Sequence, residues 1–244
     1  MAQLEIASDY DGVCDLVAER IAALVQAKPT TVLGLATGST PLGVYRRLVQ
    51  RYAENRLDFS QVTCFNLDEY YPMAADSPHS YHAFMQEHLF RHVNCLRWFV
   101  PDGASADPER IALHCRDYEA LIAEAGGIDL QLLGIGRTGH LGFNEPGSLR
   151  NSRTRLVSLD PLTREDAASG FGGLENVPFS AVSMGIGTIF EAREIAVMAS
   201  GPAKAAIVAT ALHGGETAAV PASFLRTHPN VTLYLDKSAA ALLE

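Results

Sequence analysis

Apolar residues recur along the chain in two alternating rhythms. Within residues 11–27, Val13, Leu16, Val17, Ile21, Leu24 and Val25 fall on one face of a helix. Residues 31–35 (TVLGL) then form a short apolar run without polar alternation, the signature of a strand buried on both faces. The run breaks at Ala36-Thr37-Gly38-Ser39-Thr40-Pro41 and helical spacing resumes through Leu42, Tyr45, Leu48 and Val49. Further strands are predicted at 62–67, 129–133, 181–184, 195–199 and 231–235, and helices at 81–92, 108–125, 187–192 and 202–213. Strands separated by helices predict an α/β fold with a doubly wound, mostly parallel, Rossmann-like sheet covered by helices on both faces. There is no internal repeat or low-complexity tract, so residues 1–244 are expected to form one domain. The Gly-rich stretch Ser169-Gly170-Phe171-Gly172-Gly173 fits a mobile lid better than a linker.

Composition narrows the picture. With 48% hydrophobic residues, the 244-residue chain can build an ordinary core. A net charge of −9 argues against nucleic acid or an anionic membrane surface as the main partner. A small anionic ligand is still allowed, because it responds to its local site. No apolar run approaches the ~18 residues of a membrane span, and the start MAQLEIASDYDG has no apolar core of a secretory signal. Cys14, Cys64, Cys95 and Cys115 are scattered without a CxxC pair. Buried, reduced thiols in a cytoplasmic protein are therefore expected.

Ligands of such sheets bind beyond the carboxyl ends of the strands, and four strand ends carry unusual residues. In Thr37-Gly38-Ser39-Thr40-Pro41, glycine permits close approach of the backbone, the hydroxyls can cap a helix, and Pro41 suits its first turn. The free N–H groups there favour an anion. Without a GK[ST] sequence, a sugar phosphate fits better than ATP, and a plain capped turn is the alternative. In Asn66-Leu67-Asp68-Glu69-Tyr70, neighbouring acids point to opposite sides of a strand. Asp68 can enter a cleft as a general base while Glu69 meets solvent or a basic partner, or the pair is simply a solvated acidic turn.

The third segment, Gly134-Ile135-Gly136-Arg137-Thr138-Gly139-His140-Leu141-Gly142-Phe143-Asn144-Glu145-Pro146-Gly147, contains a GxGxxG with Asp160 about twenty residues on. A dinucleotide site would need a helix here, and Gly142, Pro146 and Gly147 prevent one. The segment instead presents His140 and Glu145 as partners in proton transfer. In the fourth, Lys204 stands in the first turn of a helix after a strand. It opposes the helix dipole unless an anion neutralises both, the alternative being an exposed lysine. His88 and His92 lack a third ligand, so no metal site is expected, and there is no GxSxG elbow.

Taken together, LGLATGSTP, FNLDEY, GHLGFNEPGS and PASFLRTHPN resemble the glucosamine-6-phosphate deaminase/isomerase family over nearly the whole chain. The wider superfamily includes the 6-phosphogluconolactonases, which differ from this chain at FNLDEY and at the histidine loop. The resemblance implies an amino-sugar 6-phosphate and water converted to a ketose 6-phosphate and ammonia, without metal or organic cofactor. It implies that Asp68 moves a proton between C2 and C1, that His140 assists ring opening, and that Glu145 orients His140. It further implies that Thr37, Gly38, Ser39, Thr40, Gly136 and Lys204 contact the substrate and its phosphate. The protein is expected to be a monomer or small homo-oligomer.

Three departures accompany the resemblance. Thr138 stands where many glucosamine-type deaminases carry an aspartate, which leaves Glu145 as the one carboxylate beside the histidine. A non-aspartate there, like PASFL, is similar to the galactosamine-6-phosphate branch and leaves the C4 epimer open. The stretch Ala168-Ser169-Gly170-Phe171 lacks the family's phosphate-binding arginine, so that Arg164 swings in, Ser169 replaces it, or the substrate differs. Ser148 and Arg155 match part of an effector site of the allosteric members, but Val157 and the chain end at Glu244 do not. Two rival readings use the same scaffold: a 6-phosphogluconolactonase, and a sugar-phosphate-binding regulator with a degenerate catalytic site.

Overall fold

The computed structural model describes residues 2–105 and 107–243. Seven strands form one parallel sheet: β1 (Gln3–Ala7), β2 (Val32–Leu35), β3 (Thr63–Asn66), β5 (Arg97–Phe99), β6 (Leu130–Gly134), β9 (Glu194–Ala199) and β10 (Val231–Asp236), in the order β1-β10-β9-β6-β2-β3-β5. The remaining strands, β4 (Asp68–Tyr71), β7 (Arg155–Ser158) and β8 (Ser180–Ser183), form a small antiparallel sheet in the order β4-β8-β7. The expected doubly wound sheet is present. The strand expected at 181–184, however, belongs to the smaller sheet, where β8 pairs antiparallel with both neighbours.

Successive side chains of a strand point to opposite faces, and the core follows that rule. Val32, Leu133, Ile195, Val197, Leu233 and Leu235 pack on one face with Tyr118 and Ile122 of α4 (Pro108–Glu124) and Val208 of α7 (Ala205–His213). Leu33, Leu35, Leu130, Leu132, Ala196 and Met198 pack on the other, against α1 (Tyr10–Ala27) and α2 (Leu42–Ala53). Helix starts are locally encoded. Asp9 caps α1 by accepting from the Gly12 amide, and Ser80 caps α3 (Tyr81–His88) by accepting from Ala83. Asp160, which lay at dinucleotide spacing in the sequence, instead caps α5 (Pro161–Ala167), a helix the hydrophobic pattern does not predict.

The order of strands positions the site. From β2 the chain proceeds outward through β3 to β5, and from β6 it proceeds the other way through β9 to β10. The crevice between β2 and β6 is thus the topological switch point, where open α/β sheets bind ligands. The two sheets join beside it. Leu67 still donates its N–H to Leu35 O of the large sheet at 2.9 Å, while its carbonyl accepts from the Met184 amide at 2.8 Å. Asp68, the next residue, opens β4.

Candidate active site

A cavity of about 570 Å³ lies over this switch point. It collects the ends of four adjacent central strands: residues 36–40 after β2, 67–68 after β3, residues 135–137, His140 and Gly142 after β6, and Lys204 after β9. Of the nine residues singled out in the sequence, Thr37, Gly38, Ser39, Thr40, Asp68, Gly136, His140 and Lys204 line it. Glu145 stands behind His140. Asp68 and His140, 72 positions apart in the chain, open into the same cavity.

Asp68 is 4% exposed. Burial, and then the neighbouring charge of Glu69, push its carboxyl up to about 8, and among the described residues no hydrogen bond or cation opposes them. This is the environment of a proton acceptor working near neutral pH. Gly142 leaves it room. A Cβ at that position would lie 3.1 Å from Asp68 Oδ2, and the backbone there has φ of +58°, which suits glycine.

Glu69 points the other way, as strand geometry requires, but it meets neither solvent nor a basic side chain as expected. Its carboxylate, 2% exposed, accepts N–H bonds from Tyr70, Tyr81 and His82, each at 2.9 Å. The latter two are the first amides of α3, so Glu69 anchors that helix to β4 and neutralises its positive end. Burial pushes the Glu69 carboxyl up to about 7, against the pull of the three N–H donors. The anchored segment brings His79, Ser80, Tyr81 and Phe84 to the cavity wall.

His140 is held from behind. Its Nδ1 lies 3.1 Å from Glu145 Oε2, 3.0 Å from Thr138 Oγ1 and 3.3 Å from Thr163 Oγ1. A carboxylate accepting at Nδ1 keeps the proton there and leaves Nε2 to act as acceptor. The largest influence on the Glu145 carboxyl is burial, which raises it. The hydrogen bond and charge of His140, with bonds from Thr163 and the Asp160 amide, outweigh this and hold it below its ordinary value. Gly136 serves the histidine directly: a Cβ there would lie 1.9 Å from Nε2.

The side expected to bind an anion departs from the sequence reading in two respects. Neither Ser39 nor Thr40 caps α2; its N-cap is Pro41, with no side-chain cap, and the Gly43 amide is taken by the Tyr10 hydroxyl at 2.9 Å. Both hydroxyl residues line the cavity instead. Lys204 ends a short 3-10 turn (Pro202–Lys204) at the N-cap of α7 rather than standing within the helix. Its Nζ donates to Ile135 O at 2.7 Å, and burial lowers its pKa from the ordinary value.

Arg164 does not swing in. Its guanidinium donates to the carbonyls of Pro178, Leu174 and Val177 and lies 3.7 Å from the centre of the Phe179 ring. Sequence reasoning missed Tyr81, Thr163 and Phe171 as lining residues and Arg137 as a lining cation. Tyr81 had a local signal, since it follows the helix-capping Ser80. Thr163 had none.

A family model described as glucosamine-6-phosphate isomerases/6-phosphogluconolactonase matches residues 9–234. Over 240 residues the chain is 47% identical to a glucosamine-6-phosphate deaminase of Halothermothrix orenii, covering 98% of each. Over 239 residues it is 46% identical to a glucosamine-6-phosphate deaminase of a Geobacillus species, covering 97% of this chain and 94% of that one. A solved structure described as a monomeric glucosamine-6-phosphate deaminase superposes with a TM-score of 0.94 at 40% identity, over 98% of this chain and 99% of that one. A 6-phosphogluconolactonase from Trypanosoma brucei gives 0.80 at 22% identity, over 100% and 99%, and shares the fold.

Proposed function

The chain belongs to the family of glucosamine-6-phosphate isomerases and 6-phosphogluconolactonases, and from that premise we propose that it is a glucosamine-6-phosphate deaminase. It converts glucosamine 6-phosphate and water to a ketose 6-phosphate and ammonia, acting as a single domain over residues 1–244. The observation that carries this reading is an unpaired, buried Asp68 in one cavity with a carboxylate-backed His140.

The sugar phosphate is anchored by the loop at Thr37–Thr40 and by Lys204. Fixing that end supplies orientation to carbons that carry no charge of their own. His140 Nε2 accepts the proton of the anomeric hydroxyl, and the same proton passes to the ring oxygen as the ring opens. Glu145 compensates the charge on the imidazole meanwhile. Asp68 removes the C2 proton beside the newly exposed aldehyde as O1 takes up a proton, giving an enolamine. It then returns the C2 proton to C1 as the nitrogen gives one up, which leaves a hydroxyl at C1 and an imine at C2. Water adds to that carbon and ammonia departs, giving the ketose. General acid–base assistance of this kind is worth typically ~10²–10⁴-fold in rate.

Preference for glucosamine over galactosamine 6-phosphate is supported by the glucosamine-6-phosphate deaminases to which the chain is 47% and 46% identical. The test is a panel of glucosamine 6-phosphate, galactosamine 6-phosphate and 6-phosphogluconolactone, scored for ammonia, ketose phosphate and acid release. Coupled release of ammonia and ketose phosphate from glucosamine 6-phosphate is expected. Lactone hydrolysis without ammonia would sink the proposal. We further infer that the enzyme works as a monomer in the cytoplasm. No helix among the described residues is long and apolar enough to cross a membrane, and a 40%-identical relative is described as monomeric.

A further inference from the structure

A phosphate dianion bound beside one desolvated lysine is held more strongly where a second cation, above all a guanidinium, can reach it. Only two of the lining residues are permanently basic, Lys204 and Arg137. They share one wall, because Lys204 Nζ is bonded to Ile135 O, two residues before Arg137. The proximity is electrostatic as well, since the charge of Arg137 helps to lower the Lys204 pKa and that of Asp166 opposes it. Arg164 is committed to backbone carbonyls away from the cavity.

Resting on the reading above, we propose that Arg137 is the second cation of the phosphate site, held at the cavity wall by Asp166 and transferred to the phosphate when substrate enters. Arg137 Nη2 lies 3.1 Å from Asp166 Oδ1 and 3.7 Å from Glu165 Oε2, with Leu162 O at 3.5 Å. The side chains of the Arg137–Asp166 pair are 51% and 52% exposed, so their mutual hold is weak and screened by solvent. A phosphomonoester offers the same guanidinium a doubly charged, bidentate partner. Asp166 therefore acts as a stand-in anion that keeps the guanidinium at the wall between turnovers. The exchange also frees α5, whose Thr163 touches His140, from its tie to Arg137.

The test combines steady-state kinetics on glucosamine 6-phosphate with calorimetric titration of the intact protein by inorganic phosphate. For Arg137→Ala, KM and the phosphate dissociation constant are each expected to rise tenfold or more, with kcat changing far less. Arg137→Lys should recover part of the loss. Asp166→Asn removes the competing carboxylate and should lower KM. Unchanged KM and phosphate affinity in Arg137→Ala would overturn the proposal. So would an Asp166→Asn variant whose KM rises as far as that of Arg137→Ala, because the ion pair with α5 would then be structural. The calorimetric arm does not depend on the sugar. A wild type that binds phosphate through Arg137 but releases no ammonia would refute the deaminase reading alone.

Discussion

At the scale of single residues, the burial that raises the Asp68 carboxyl to about 8 acts on rate and stability in opposite directions. In the proposed mechanism Asp68 must be ionised to take the C2 proton, so kcat/KM should climb with pH at unit slope and level off above about 8. A carboxyl whose folded pKa exceeds its ordinary 3.8 contributes stability that is full below about 4 and is lost as pH rises through 8. Asp68→Asn removes the group that ionises. Turnover should fall by about 10²–10⁴-fold with KM little changed, while thermal unfolding at pH 8 or above moves to higher temperature. A variant with wild-type turnover, or one that melts earlier at high pH, would contradict this account. Glu69 shows how far identity alone can mislead. As the acid next to Asp68 it invited a solvated reading, yet it is spent on three backbone amides.

At the scale of elements, the loop after β6 is built around one imidazole. Its length of chain lets Thr138 and Glu145 reach Nδ1 from one side, while Gly136 clears the other. Gly136→Ala places a methyl group where Nε2 now sits, so either the ring or the strand end must move. Since an error near 1 Å in catalytic geometry can cost about 10²-fold, kcat should drop by at least that order. The folded far-ultraviolet dichroism should stay intact. Retention of full activity would mean that His140 is not needed in this rotamer. Helix α3 is a second such device: its amides hold Glu69, and its first turn carries Tyr81 and Phe84 to the cavity.

At the scale of the whole molecule, light scattering after size exclusion is expected to give one species near 26.3 kDa; a hexamer would refute the monomer. Periodicity in the sequence revealed the doubly wound sheet because β2, β3, β6, β9 and β10 are buried along their whole length or nearly so. Such strands read as unbroken apolar runs. It missed β1, four of whose five residues are exposed, the three-residue β5, and the polar β4 and β7. The loops at Thr37–Thr40, Asp68 and His140–Glu145 were legible because each lies within one stretch of chain directly after a strand. Local order therefore determined the layers of the fold, the strand ends that bear chemistry and the acids and histidine standing there. Tertiary structure alone decided that Thr163 reaches His140, that Glu69 anchors α3, and that Arg137 rather than Arg164 joins Lys204. These arrangements bring together residues a dozen to nearly seventy positions apart, and no short-range pattern can register a placement made only when separate strand ends converge.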